Sequence, residues 1–154
     1  MITITAPTAA HIAYIVDHLR KLDAEEVRAA TGQEANVQIH KAVQRAGRHF
    51  CALVDDTPIA LYGVADMNGF SKIGSPWLVG TDAIHTHSKA FLRQSKRQFT
   101  ELAHGYDYLV NMVDARNKPS IDWLKWLGFT LYEAAPYGPY GTPFHKFDMG
   151  LFPA

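Results

Sequence analysis

The stretch Asn117-Lys118-Pro119-Ser120-Ile121-Asp122-Trp123-Leu124-Lys125-Trp126-Leu127-Gly128-Phe129 reads as one amphipathic helix with its start and its stop written in the residues. The first helical amides have no partner inside the helix, so a proline near the start costs no hydrogen bond, and Asn117 ahead of it is a capping residue type. Ser120 is small enough for close helix packing, and Gly128 can take the positive φ with which many helices end. Phe129 then opens a strand. The buried-type run at 108–113 precedes this helix, so the region is a strand-helix-strand unit.

Upstream, residues 88–103 predict another helix, with Ala90, Phe91, Phe99, Leu102 and Ala103 inward among Lys89, Arg93, Lys96 and Arg97. Before it the period changes. Residues 50–54 and 59–64 are short apolar runs around the turn Asp55-Asp56-Thr57-Pro58, a natural antiparallel hairpin, and 76–80 follows the Asn68-Gly69 turn as a third strand. Nearer the N-terminus, Ile12, Ile15, Val16, Leu19 and Leu22 recur at helical spacing, with a stop at Thr31-Gly32. A second helix runs over 36–46, and Ile2 and Ile4 alternate with threonines in a first strand. Downstream, strands at 129–133 and 144–151 flank a Pro-, Gly- and Tyr-rich loop at 135–143. The expected order is β, α, α, β, β, β, α, β, α, β, β, an α/β (α+β) fold with a mixed, largely antiparallel sheet and about four helices.

A chain of 154 residues is the usual size of one domain, so 1–154 is expected to be a single domain. Fifteen basic residues balance fifteen acidic ones, which gives no global field to gather nucleic acid or an anionic membrane. The single Cys51 excludes an intrachain disulfide and a multi-cysteine metal site, and suits a cytosolic protein. The first residues lack a charged leader, and no apolar run approaches the roughly 18 residues of a membrane span. A soluble protein without membrane or nucleic-acid partners is expected.

The element order, together with Asn117, the small Ser120 three positions on and Gly128-Phe129 eleven on, resembles the GNAT superfamily of acyl-coenzyme A N-acyltransferases. Within it, Pro76 through Ala83, Asn111 through Asn117, Trp123 through Phe129 and Gly141 through Met149 are similar to short acetyltransferase-like proteins of podophages, a group that includes internal virion proteins. The resemblance implies acetyl-coenzyme A or another acyl-coenzyme A as donor, an amine acceptor, and a place in the host cytoplasm or the virion.

It also implies which residues to inspect. The family's cofactor contacts fall on Val79, Gly80, Thr81, Thr86, Ser88 and Asn117, although an Asn at a helix entrance is equally a cap. The family's Arg/Gln-x-x-Gly-x-Gly phosphate loop is replaced: Ala83, Thr86 and Ser88 stand where the basic or amide residue and two glycines would be, and Asp82 would repel phosphate. Thr86 and Ser88 can donate hydroxyl hydrogen bonds instead, and Arg93, His85 or His87 can supply charge; Ser88 also suits a helix N-cap. The tyrosine that many members carry seven residues after the Asn is Leu124 here, which cannot transfer a proton. His85 and Tyr132 are the remaining candidates for proton transfer, beside Tyr137 and Tyr140. His85-x-His87 lacks an identifiable third metal ligand. Glu25 and Glu26 read as a solvated helix face or as groups facing an amine, and the three tryptophans as packing or as groove lining.

Two functions follow. One is N-acyl transfer to an unknown amine. The other is a catalytically degenerate protein of the same fold that binds a host enzyme or a virion component.

Overall fold

The computed structural model describes residues 1–151. Its elements are β1 (Ile2–Thr5), α1 (Ala9–Asp17), α2 (Lys21–Thr31), α3 (Ala35–Gln44), β2 (Gly47–Val54), β3 (Thr57–Asp66), β4 (Ile73–Gly80), α4 (Ala83–Thr86), α5 (Ser88–Ala103), β5 (Tyr108–Asp114), α6 (Lys118–Leu127), β6 (Thr130–Leu131), β7 (Ala135–Tyr137) and β8 (Thr142–Gly150). The strands form one sheet in the order β1-β2-β3-β4-β5-β8-β6, with β7 added on β8. Every pairing is antiparallel except β4 with β5, which is parallel.

The α+β class and the mixed sheet agree with expectation, but the described residues hold six helices rather than about four. The predicted first helix breaks after Asp17. Leu19 forms an isolated antiparallel bridge with Thr81, and the Arg20 N–H donates to the Gly80 carbonyl at 2.9 Å, so tertiary pairing outcompetes the helical spacing of Ile12 to Leu22. The other added helix is the single turn α4, where the amides of Ile84 and His85 donate to the carbonyls of Thr81 and Asp82, each at 3.1 Å. Within the expected loop at 135–143, β7 pairs with β8 through Ala135↔Phe144 and Tyr137↔Thr142.

Strand alternation divides the core between two faces. Cys51, Leu53, Leu61 and Val79 point to α1 and α3, where they meet Ile15 and Ile39. Ala52, Ala60, Tyr62 and Leu78 point the other way, to α5 and α6. There Tyr62 meets Phe91 edge to face at 5.6 Å, and the buried Trp123 donates its indole N–H to Ser95 Oγ at 3.1 Å. Burying each such side chain stabilises the fold by about 1.5–3 kcal/mol. Among the described residues no helix is long and apolar enough to cross a membrane.

The pair that matters for the site is β4 with β5. They are in register only at Ile73↔Tyr108 and Gly74↔Leu109, then separate. Gly74 permits the close start, since a Cβ there would lie 2.4 Å from Val64 Cγ1 and 3.0 Å from Leu109 Cδ2. Beyond it, side chains replace the backbone ladder: Ser75 Oγ donates to the Val110 carbonyl at 2.9 Å, and Asn111 Nδ2 to the Pro76 carbonyl at 2.8 Å. A wedge opens between the two strands.

Candidate active site

Backbone alternation along β4 determines which groups face the wedge. The Thr81 N–H donates to Ile59 on the β3 side at 2.9 Å, whereas the Gly80 N–H points the opposite way, to Asp23 Oδ2 at 2.8 Å. Successive strand amides alternate, so Leu78 and Pro76 share the side of Gly80 and face β5. Pro76 has no N–H to lose there. Gly80 is spent internally, its N–H on Asp23 and its carbonyl on the Arg20 N–H. The peptide N–H and carbonyl of Leu78 are the pair that this alternation leaves toward the opening.

Two cavities share Leu78 and Trp123 in their walls. The first, about 270 Å³, lies toward α2 and α3 and includes Glu26, Trp77, Asn111, Ser120 and Tyr137 in its wall. The second, about 350 Å³, lies between the starts of α5 and α6 and includes Arg20, His85, Ser88, Lys118 and Pro119.

Glu26 is the chemically distinctive group of the first cavity. Burial pushes its carboxyl up to about 7, an effect reinforced by the neighbouring charges of Asp23 and Asp114 and opposed by hydrogen bonds from the Asp114 amide and Asn117. Glu26 Oε1 accepts the Asp114 N–H at 2.8 Å and Asn117 Nδ2 at 3.3 Å. Its neighbour Asp114 behaves oppositely: burial acts upward, but the Arg116 guanidinium bonded to it holds the carboxyl below its usual range. A carboxyl poised near neutrality in a mostly apolar cavity can take a proton from an amine. Ser120 Oγ and Trp77 Nε1, in the same wall, have no hydrogen-bond partner among the described residues.

Asp23 ties the elements around the wedge together. Buried at 1% exposure, it pairs with the Arg20 guanidinium at 2.9 and 3.0 Å, accepts the Gly80 N–H, and accepts Asn117 Nδ2 at 3.2 Å. Asn117 in turn caps α6, its Oδ1 accepting the Ser120 N–H at 3.4 Å, and at 1% exposure it lines neither cavity. Both of its amide functions are therefore internal.

The other sequence candidates separate. Val79 lines the first cavity, His85 and Ser88 the second, while Gly80 and Thr81 lie buried at the strand end and line neither. Thr86 is exposed at the end of α4. The cap position of α5 falls on His87, without a side-chain bond, and Ser88 is the first helical residue. Tyr132 lies away from both cavities, its hydroxyl on Asp148 at 2.9 and 3.0 Å, and that bond raises its proton affinity. Leu124 lines the first cavity. No cluster of three or more metal-ligating side chains occurs among the described residues.

Sequence reasoning passed over Arg20 and Asp23, and it took a solvated face as one reading of Glu26. A signal existed. Leu22, Glu26 and Ala29 stand at i, i+4 and i+7, one inward row of α2 in which Glu26 is the only ionisable member.

No family model and no curated protein matches the sequence. Solved structures do. A putative acetyltransferase from Salmonella typhimurium, solved with its cofactor acetyl-CoA, superposes with a TM-score of 0.73 at 15% identity, covering 100% of this chain and 96% of that one. The spermidine N-acetyltransferase from Vibrio cholerae, in complex with CoA and spermine, gives 0.65 at 11% identity over 97% and 95%. An acetyltransferase of the GNAT family from Streptococcus pneumoniae gives 0.64 at 12% over 99% and 100%. These three are bacterial proteins, and they bear on the fold of the resemblance, not on its phage part. Likeness at such identities concerns architecture, and the chain has the fold of the GNAT acetyltransferases.

Proposed function

We propose that this chain, acting as one domain, transfers an acyl group from an acyl-coenzyme A type thioester to an amine. The observation that carries the reading is Glu26, near-neutral in its proton affinity, in the wall of a cavity that shares Leu78 and Trp123 with a second one. The amine enters beside Glu26, and the donor arm enters between α5 and α6. The Leu78 N–H and carbonyl suit the amide-bearing arm of a pantetheine thioester, which needs one donor and one acceptor on an open strand side. Glu26 accepts the amine proton as nitrogen attacks the thioester carbon. His85 lines the donor groove, on the leaving side.

The test is calorimetry of the full chain with acetyl-coenzyme A and with coenzyme A, followed by thiol release in the presence of a panel of amines. Micromolar binding and amine-dependent release are expected. Millimolar or weaker affinity for acyl thioesters of every kind tried would remove the reading.

One observation favours a second reading, a catalytically idle binding protein of this fold, of host-enzyme or virion type. The wedge-facing N–H and carbonyl of Gly80 are both occupied by α2 and the segment before it. In that case no thioester binds, and Glu26→Gln changes stability alone.

A further inference from the structure

The solvent side of α5 is a basic stripe. Lys89, Arg93, Lys96 and Arg97 fall at i, i+4, i+7 and i+8, one helix face, and all four are exposed. None of them forms an ion pair among the described residues. The stripe continues onto α6, where Lys96 lies 4.8 Å over the exposed Trp126 ring and Lys125 is exposed beside it. Its first acidic interruption on α5 is Glu101. At a rise of about 1.5 Å per residue, Lys89 to Arg97 spans about 12 Å, directed away from Ser88 at the mouth of the donor groove.

The loop ahead of the mouth offers a diphosphate little, and the donors that remain there are the first amides of α5, from Ser88 to Ala90. The amides of Ile84, His85 and His87 are spent on carbonyls within the loop, Ala83 N–H is held by Thr81 Oγ1 at 3.2 Å, and Asp82 is exposed there. Inside the groove stands Arg20, 3% exposed, with Nε and Nη2 on Asp23 and Nη1 left over. One buried guanidinium nitrogen suits one phosphate. Lys118, the other cation in the wall, is already paired with Asp122 at 2.9 Å.

We propose that the thioester donor is delivered on the phosphopantetheine arm of an acidic carrier protein, which docks on the basic stripe of α5 and feeds its arm between α5 and α6. This rests on the acyltransferase reading. A carrier arm has a single phosphate, matching Arg20, and an acidic carrier surface supplies the negative partner that the stripe lacks. In the transfer, the amine nitrogen bonds to the acyl carbon, the carbon–sulfur bond breaks, the amine proton passes to Glu26, and the thiolate stays on the arm and takes a proton from water.

The experiment compares three probes on the full chain by calorimetry at low and at physiological salt: an acidic acyl carrier protein bearing an acetylated arm, acetyl-coenzyme A, and acetyl-pantetheine phosphate. The loaded carrier is expected to bind most tightly and to weaken with salt. Lys96→Glu with Arg97→Glu, both at exposed positions away from the groove mouth, should weaken the carrier by about tenfold or more and leave acetyl-pantetheine phosphate unchanged. Acetyl-coenzyme A binding as tightly as the carrier, or a carrier affinity indifferent to the charge reversal, overturns the inference and leaves the acyltransferase reading standing. If none of the three binds, the reading itself falls.

Discussion

The Asn117 side-chain amide donates to Glu26 Oε1 at 3.3 Å and to Asp23 Oδ1 at 3.2 Å, so the residue that caps α6 also touches the carboxyl in the first cavity. Its bond to Glu26 opposes the upward push of burial. Asn117→Ala is therefore expected to do two things. Loss of the cap and of two buried bonds should cost about 2–3 kcal/mol in urea denaturation. The pH at which activity rises should also move upward from about 7, because Glu26 loses a donor that favours its ionised form. An unmoved midpoint would separate the cap from the site.

Glu26 itself should act as the base. Glu26→Gln is expected to lower the turnover number by about 10²–10⁴-fold, and wild-type activity should fall as pH drops below about 7, the value to which burial raises this carboxyl. Equal turnover in the variant across that range would exclude the role.

The same carboxyl predicts a stability effect of known sign. Its folded value, about 7, lies above the ordinary 4.5, so its stabilising contribution is complete below 4.5 and is lost as pH rises through 7. Removing the ionisable group should help at high pH. Glu26→Gln should exceed wild type in stability at about pH 8 by on the order of 2–3 kcal/mol, with the gap closing near pH 4. Melting curves at the two pH values decide it.

Asp23→Ala leaves the Arg20 guanidinium, 3% exposed, without its counter-charge and strips the Gly80 N–H of its acceptor. Breaking one side of a buried pair costs about 3–5 kcal/mol. Replacing both partners, Arg20→Met with Asp23→Leu, should recover part of that loss. A double variant no more stable than the single one would show that Asp23 acts mainly through Gly80 and Asn117.

Gly128 closes α6 at φ 102°, with its N–H on the carbonyls of Leu124 and Lys125. A Cβ there would find ordinary space, 3.5 Å from Met149 Cε, so the cost of substitution is conformational. Gly128→Val should lower stability by about 1–2 kcal/mol, and Gly128→Asn by less, since Asn tolerates the left-handed region. Denaturant midpoints with unchanged slopes would report this.

Much of the architecture could be read from residues in order. Asn117, Pro119 and Gly128 mark both ends of α6, alternation and turn residues mark the hairpin of β2 and β3, and helical spacing marks α5, because each of these signals lies within one or two turns of chain. The break between α1 and α2 could not be read that way. Leu19 and Leu22 continue the helical row, and only the pairing of 19–20 with Gly80 and Thr81, some sixty residues on, ends the helix. The site follows the same division. The sequence holds Leu124, the altered loop and the basic stripe in plain view, whereas the base-like carboxyl of Glu26 owes its proton affinity to burial beside Asp23 and Asp114. Desolvation and the approach of like charges are properties of the folded surroundings, so tertiary structure alone decided which glutamate could act.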